Sequence, residues 1–252
     1  MKQRLFNALK FDAALLPFAL VAGISIGFYE WATGIAAVLE GITKSQFILV
    51  ALLQTVIYAM LTGLAGHLLA DKTGLLRPFT IRKKPLIRTV SAGILAGAAF
   101  FILESFVFSA LIPGVALFYE NKSFSAVYLV SEIFYGGVIE EVLLRLFFMT
   151  LLAFLIWKIF ARKYTRENIP AVVFIAANII AATVFAAGHL PATHTMFGGF
   201  NGLILFRCFL LNGGLGLVFG RLYRKYGIQY AMIAHALIHV VNDSLFLIAS
   251  GF

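Results

Sequence analysis

Three charged side chains, Glu140, Glu141 and Arg145, lie within the otherwise apolar segment GGVIEEVLLRLFF at residues 136–148. An ionised side chain at the centre of a membrane costs about 2.5–3.5 kcal/mol even on the mildest scale. On a helix, Glu141 and Arg145 are four residues apart and share a face, where they can pair. Glu140 lies about 100° away around the helix and has no such partner. The spacing predicts one glutamate that is paired and one that faces a polar cavity.

Histidines form the second group of candidate residues. His235 and His239, in the segment MIAHALIHVVND, are four residues apart, so both imidazoles lie on one helix face. His189 follows an apolar segment in FAAGHLP. Glutamate and imidazole together can activate water and stabilise an oxyanion, and they can also bind zinc or relay ions across a membrane. The residue types alone leave these three chemistries open.

The order of these groups resembles a known family. EEVLLR at residues 140–145 is similar to the EExxxR motif of the CPBP intramembrane proteases, which include the CAAX prenyl endopeptidases and the bacteriocin-processing enzymes. FAAGH at 185–189 resembles the FxxxH motif of that family, and HALIH at 235–239 resembles its last motif, HxxxN or HxxxD. One position departs from the pattern, because His239 stands where the family usually has Asn or Asp.

The resemblance implies a role for each of these residues. Glu140 would be the general base that activates the attacking water, and His189 would help to position that water. His235 and His239 would stabilise the oxyanion of the tetrahedral intermediate, since an imidazole N–H donates a hydrogen bond as an Asn amide does. We therefore expect an intramembrane endopeptidase.

The remaining motif residues, Glu141 and Arg145, would hold the helix and tune the site. The resemblance leaves two routes open, one through a bound metal and one through water activated by glutamate alone. The metal-free route is favoured, because two of the expected zinc ligands are not distinctive in this sequence. The HExxH signature of zinc proteases is also missing. If zinc is bound, the expected ligands are Glu140, His189 and His235.

The composition is that of a membrane protein. The chain of 252 residues is 62% hydrophobic and 12% charged, with a mean hydropathy of +0.96. A soluble domain is about one quarter charged, so too few polar residues remain to cover a surface in water. We expect an all-α, polytopic bundle of transmembrane helices. The single Cys208 excludes an internal disulfide, and the net charge of +9 comes from loop residues, so nucleic acid is not an expected partner.

Apolar segments indicate seven or eight spans, because each is close to or above the ~20 residues that cross a membrane. The fourth segment is too long for one upright helix, and Gly136-Gly137 is a plausible break, which would make residues 124–135 a separate or interfacial helix. The seven segments are approximately 12–38, 46–70, 87–112, 124–157, 170–188, 200–220 and 228–250. Residues 1–252 form one integral membrane domain in this interpretation, with N-terminal helices in 1–123 and a motif-bearing catalytic core in 124–250.

Basic residues are distributed unevenly between the loops. Under the seven-span interpretation, sixteen of the 20 lie on one side, and the opposite loops hold only Lys44 and Lys122. Cytoplasmic loops carry such an excess of Lys and Arg. The pattern predicts a multi-pass protein of the inner, or cytoplasmic, membrane with a cytoplasmic N-terminus. Membrane lipids are expected partners, and the basic loop at residues 71–88 can contact anionic head groups.

If each of the seven spans crosses the membrane as one upright helix, the candidate residues lie at different depths in the membrane. Glu140 would lie near the middle of the membrane, His235 towards the cytoplasm and His189 at the outer end of the fifth span. We therefore predict an irregularity: either the fifth span is short, tilted or shifted, or residues 124–135 lie flat. Three further charges within spans, Glu30, Glu104 and Arg207, are predicted to pair with each other, to line the cavity, or to reach separately towards an interface.

Several functions remain open at this stage. The favoured one is cleavage of a membrane-associated peptide or protein, either a prenylated CAAX-type protein or a leader peptide. A proton-coupled carrier would use Glu140, Glu141 and the histidines as an ion relay, although no internal repeat supports it. A non-catalytic immunity or scaffold protein of the same fold is the third possibility, because His239 departs from the family motif.

Overall fold

This computed structural model describes residues 2–34, 41–121 and 124–250. In those ranges the chain forms helices joined by loops, and no strand is present. In chain order the helices are α1 (Lys2–Ala32), α2 (Lys44–Thr73), α3 (Lys83–Leu111), α4 (Pro113–Asn121), α5 (Ala126–Phe160), α6 (Ala171–Gly188), α7 (Leu190–Phe197), α8 (Gly202–Tyr226) and α9 (Ile228–Ala249).

Seven segments of the described chain are long and apolar enough to cross a membrane: α1, α2, α3, α5, the continuous pair α6–α7, α8 and α9. The predicted all-α, multi-pass architecture is therefore confirmed. The predicted break at Gly136-Gly137 is wrong, because α5 runs without interruption through both glycines. Residues 124–135 do not form a separate helix, since most of them belong to the first turns of α5.

Local sequence signals set the helix ends. The Thr43 side chain accepts a hydrogen bond from the backbone of Gln46, whose side chain in turn accepts one from the backbone of Thr43. This capping box satisfies backbone groups that the first turn of α2 leaves free. Gly227 alone joins α8 to α9, with φ of 118°, a conformation that favours glycine. The tight connection makes α8 and α9 antiparallel neighbours.

Helices α3, α5 and α8 are continuous but contain wide π-helical turns. The two stretches in α5, Glu132–Glu140 and Val142–Met149, flank Glu141 directly. The Thr150 hydroxyl donates to the Arg145 carbonyl oxygen, five residues back, across the second stretch (3.1 Å). Turns of this kind often mark functional sites, because they rotate side chains away from positions that a regular helix would give them.

Helix α5 lies at the centre of the bundle and packs against α1, α2, α6, α8 and α9. Small residues permit close approach, as is usual between helices in membranes. A Cβ added to Gly66 of α2 would lie 2.8 Å from the backbone of Leu146 in α5. Gly93 and Gly97 similarly bring α3 against α9. Helix α9 is therefore fixed on both sides, between α3 and α5.

Candidate active site

The contact between α5 and α9 brings the glutamate and histidine motifs together. A Cβ added to Gly137 would lie 2.9 Å from the Cβ of Ala236, so the two backbones are as close as glycine allows. A Cβ added to Gly136 would lie 3.1 Å from Nε2 of His239 and 3.7 Å from Nε2 of His235. The Nε2 atoms of both histidines therefore border the space beside Gly136.

Glu141 is fully buried and has two partners. Its Oε1 lies 3.3 Å from Nη1 of Arg145, so the pairing that the sequence predicted is observed. The same oxygen is hydrogen-bonded to Nδ1 of His235, at 2.9 Å. The sequence did not predict this second bond, because it joins distant parts of the chain. Glu141 thereby links the motif of α5 to the motif of α9.

Arg145 occupies an aromatic enclosure. Its guanidinium lies 4.5 Å from the ring centre of Phe185 and 5.3 Å from that of Phe219. A Cβ added to Gly216 would lie 3.1 Å from Nη2 of Arg145, so the glycine leaves room for the cation. A buried charge needs a partner, and Glu141 and the two ring faces supply compensation for Arg145.

Glu140 lies outside this ion pair. Its Oε2 is 4.0 Å from Nε2 of His235, and 21% of its side chain is exposed. That separation is too long for a direct hydrogen bond. A water molecule that bonds to both atoms would fit the separation. The sequence therefore distinguished the two glutamates correctly, since Glu141 is paired and Glu140 has a free oxygen next to an imidazole.

The two histidines of α9 are stacked, with ring centres 5.1 Å apart. Phe219 covers the other face of His235, at 4.4 Å between ring centres. Nδ1 of His239 lies 3.1 Å from Oε1 of Glu132, whose side chain is only 11% exposed. Each histidine thus has its own glutamate on α5: His235 has Glu141 and His239 has Glu132.

Glu132 is the residue that the sequence analysis missed. It precedes Glu140 on α5 by eight residues, which is about two helical turns. A third glutamate in the same apolar segment was the available signal. The significance of Glu132 is lost when residues 124–135 are taken as a separate or interfacial helix, because Glu132 then no longer shares a helix with Glu140.

His189 stands apart from the pairs on α5 and α9. It caps the end of α6, and its Nδ1 lies 2.9 Å from the carbonyl oxygen of Phe185. The Phe185 ring contacts both histidines, with centres 4.6 Å from His189 and 6.0 Å from His235. In the described chain no hydrogen bond joins His189 to Glu140 or His235. His189 lies within the fifth span, Ala171–Phe197, at the point where α6 ends and α7 begins. That span has 27 residues, so it is not short, and the predicted tilt or shift in depth stays a prediction.

Glu104 and Arg207 form a separate buried ion pair, so for these two charges the predicted pairing is confirmed. Nε of Arg207 donates to Oε1 of Glu104 at 2.7 Å, and Nη2 donates to Oε2. The Tyr119 hydroxyl also donates to Oε2, at 3.3 Å. The pair is surrounded by its own apolar cluster, which includes Phe108 and Ile204. It does not line the space beside Gly136.

The donor arrangement does not suit a metal ion. Within residues 2–34, 41–121 and 124–250, no group of three or more His, Cys, Asp or Glu side chains could hold one. Glu140, His189 and His235, the ligands expected for zinc, do not form such a group. We assign no chemical step to a metal.

Comparison with known proteins gives one match. The family model described as "Type II CAAX prenyl endopeptidase Rce1-like" matches residues 121–241. This range contains all three motifs and also Glu132, Gly136 and Gly137. The searches of curated proteins and of solved structures gave no significant match.

Proposed function

The chain belongs to the CPBP family of CAAX-type intramembrane proteases, and we propose that it hydrolyses a peptide bond with water activated by Glu140. The observation that carries the proposal is the contrast between the two adjacent glutamates. Glu141 is engaged by Arg145 and His235, whereas Glu140 keeps a partly exposed carboxylate 4.0 Å from Nε2 of His235. A carboxylate of this kind can accept a proton from water.

The proposed first step is attack on the scissile carbonyl. A water molecule between Glu140 and His235 gives one proton to the Glu140 carboxylate while its oxygen bonds to the carbonyl carbon. The carbonyl π electrons move to the oxygen, which becomes an oxyanion in a tetrahedral intermediate. The water needs one good base and one donor or acceptor to orient it, and the two side chains supply both.

The oxyanion would lie beside Gly136, next to Nε2 of His235 and of His239. A histidine protonated on both nitrogens donates from each. For His239, Nδ1–H then donates to Glu132, and Nε2–H is left for the oxyanion. Neutral His235 donates Nδ1–H to Glu141 and accepts from the attacking water at Nε2. Fixed donors in a site of low polarity stabilise developing charge more than water does, because they need no reorganisation.

The second step is collapse of the intermediate. The oxyanion re-forms the carbonyl, the bond from carbon to nitrogen breaks, and the protonated Glu140 gives its proton to the leaving amine. The products are one new carboxyl terminus and one new amino terminus. Glu140 returns to its ionised state, so the cycle is balanced without a further reactant.

The remaining residues act through these groups. We propose that Glu141 and Arg145 hold His235 in position, and that Glu132 does the same for His239. His189 is bonded through Nδ1 to the Phe185 carbonyl oxygen, and we propose that its Nε2 helps to position the water. The family motif and its place at the end of α6 support that role.

The proposed substrate is a membrane-associated peptide or protein. A site formed within spans α5 and α9 is reached most readily by a chain that is already held at the membrane. A prenylated CAAX-type carboxyl terminus and a leader peptide both meet that condition, and the match to a CAAX prenyl endopeptidase model favours the first.

Mass spectrometry of peptide products tests the proposal. The detergent-purified protein is incubated with prenylated and unprenylated peptides, with and without chelator. We expect cleavage by the wild type and no detectable cleavage by Glu140→Gln, which removes the base with little change in shape. Glu120→Gln is the matched control, because Glu120 is exposed on α4, outside the site.

The same experiment separates the alternatives. Cleavage that survives in Glu140→Gln would contradict the assigned base. If neither protein cleaves any peptide while a solute crosses proteoliposomes in a manner that depends on Glu140, the chain is a carrier. Absence of both activities would leave the scaffold function and overturn the proposed one.

A further inference from the structure

A large groove lies at the end of the bundle that carries the basic loops, away from the glutamates and histidines of the candidate site. Its volume is about 1220 Å³. It is bounded by the end of α2 and the chain after it, the beginning of α6 and the end of α8. None of the residues proposed for catalysis lines it. The groove therefore needs an explanation of its own.

The rim of the groove is strongly basic. Five cationic side chains line it and only one carboxylate, Glu167, does so; the cations are Arg77, Arg166, Arg221, Arg224 and Lys225. Asp71 partly compensates Arg166, at 3.7 Å between Oδ1 and Nη2. Within the described part of the chain, Arg77, Arg221 and Lys225 form no ion pair. The rim therefore has an excess of positive charge that the protein itself does not neutralise.

The remainder of the groove is apolar. Ile175, Ile179 and Leu217, which line it, are exposed on the outer surfaces of α6 and α8. Ile179 and Leu217 also line a second groove of about 290 Å³, which continues between the same helices past Phe209 and Leu210. The two grooves form one path that begins among cations and proceeds along a lipid-facing apolar surface.

We propose that this path binds one anionic phospholipid, with its phosphate among Arg221, Arg224 and Lys225 and an acyl chain between α6 and α8. Arginine forks recognise phosphate oxygens with two hydrogen bonds, and lysine adds a point charge. Basic pockets between transmembrane helices bind anionic head groups in this way. A soluble anion would match the rim but would leave the apolar path uncovered.

Native mass spectrometry of the purified full chain tests the assignment, with dioleoylphosphatidylglycerol and dioleoylphosphatidylcholine as the two probes. We expect one phosphatidylglycerol retained per chain and little phosphatidylcholine. The triple variant R221Q/R224Q/K225Q should lower the apparent affinity for phosphatidylglycerol by about tenfold or more. The matched control K83Q/K84Q/R162Q loses the same charge from exposed residues outside the groove and should change the affinity by less than about twofold.

Two further variants show whether a loss of lipid binding comes from the groove or from a folding defect. R221K/R224K keeps the charge and should retain phosphatidylglycerol. I179W fills the apolar path without a change in charge and should lower retention, and Ile179 is exposed enough to accept the larger ring. Equal retention of both lipids, equal losses in the two triple variants, or full displacement of the lipid by inorganic phosphate would overturn the proposal. None of these outcomes depends on protease activity.

Discussion

At the scale of single residues, His239 has an imidazole where the family motif has an Asn or Asp side chain. An Asn side chain presents a fixed N–H. An imidazole whose Nδ1–H is bonded to a carboxylate presents an N–H at Nε2 only when both ring nitrogens are protonated, and a carboxylate partner stabilises that cation. Glu132, with Oε1 3.1 Å from Nδ1, is that partner. We infer that the two residues form a functional unit, and that Glu132 positions His239 without contact with the substrate.

This coupling predicts the outcome of a double-mutant cycle. Glu132→Gln should lower the rate of peptide cleavage by about tenfold or more, because close pairs couple by roughly 0.5–3 kcal/mol. In the His239→Asn background the same change should have almost no effect, since the amide needs no carboxylate. The measurement is kcat for a cleaved peptide in all four proteins.

The thermal unfolding midpoints of the four proteins provide the control. A role for Glu132 in stability alone would give the same loss of activity in both backgrounds, and that result would contradict the inferred coupling. If the wild type cleaves and Glu140→Gln does not, the proposed function stands whichever way this cycle turns out.

The ion pair between Glu104 and Arg207 belongs to the same scale but concerns stability. Both side chains are buried, and removal of one partner leaves the other charge uncompensated, which costs about 3–5 kcal/mol. Glu104→Gln should therefore lower the thermal unfolding midpoint clearly. The double variant Glu104→Met/Arg207→Leu should recover much of the loss, because no unpaired charge remains. A double variant as unstable as the single one would contradict this account.

The Tyr119 hydroxyl next to this ion pair does not titrate in the ordinary pH range. Its burial, together with the Glu104 carboxylate beside it, raises the pKa of the hydroxyl well above its usual range. The hydroxyl therefore stays protonated and continues to donate to Glu104 wherever the protein is folded.

Residue contacts were predictable from the sequence only where they are local. The pair of Glu141 and Arg145 follows from helical spacing, and its geometry is as expected. The bonds from Glu141 to His235 and from Glu132 to His239 join segments about 100 residues apart, so no periodicity in the sequence encodes them. They depend on how helices α5 and α9 cross, which is decided by the packing of whole helices.

At the scale of elements, the crossing of α5 and α9 depends on two adjacent glycines with different functions. Hydropathy alone suggested that Gly136 and Gly137 end a helix. In membrane helices, glycine is more often a site of close packing between two helices than the end of a helix, because it lets the two backbones approach each other. Gly137 faces the backbone of Ala236, whereas Gly136 faces the histidine rings.

Alanine substitutions should separate the two glycines. Gly137→Ala puts a methyl group 2.9 Å from the Cβ of Ala236 and should destabilise the protein by about 1–3 kcal/mol, because the helices must move apart. Gly136→Ala fills the space beside both Nε2 atoms, where the oxyanion would lie. It should lower cleavage strongly with a smaller change in the unfolding midpoint. Both quantities are measured on each purified variant.

Gly214→Ala is the control for these substitutions. An added Cβ there meets nothing within 4 Å, so the change should be neutral or slightly stabilising in a helix. Unimpaired cleavage by Gly136→Ala would show that the space beside the histidines is not used by the reaction.

Hydropathy predicted the number of spans well and their irregularities poorly. The seven apolar segments correspond to the seven candidate spans, with ends displaced by up to about ten residues. The π-helical turns were not predictable, because mean hydropathy carries no signal that separates a π-helical turn from an α-helical one. They also explain why α5 can be one long helix and still turn three glutamates towards different partners.

At the scale of the whole molecule, contacts gather the basic segments at one end of the bundle. Asp71, at the end of α2, binds Arg4 at 3.0 Å and Arg166 at 3.7 Å. The Arg88 guanidinium donates to the Tyr226 hydroxyl at 3.0 Å, which joins the start of α3 to the end of α8. The four basic segments therefore share one end of the bundle, as the alternation of seven spans requires.

This asymmetry predicts the orientation in the membrane. Because basic loops remain in the cytoplasm, a cysteine at Lys83 should be protected from a membrane-impermeant maleimide in intact cells, and one at Lys44 should react. Both positions are exposed, and the native Cys208 is buried and can be replaced by Ala beforehand. Permeabilised cells, in which both sites should react, supply the control.

The result would also test where the lipid groove lies. Its rim contains Arg77, which belongs to the same loop as Lys83, and also Arg221 and Arg224 at the end of α8. The contact between Arg88 and Tyr226 places these two segments at the same end of the bundle. Protection of the cysteine at 83 would place the groove in the cytoplasmic leaflet, whose negative surface charge suits a basic rim. Reaction at 83 with protection at 44 would reverse the topology and place the groove in the opposite leaflet. An anionic lipid would then be the wrong occupant to expect there, even if it binds in detergent.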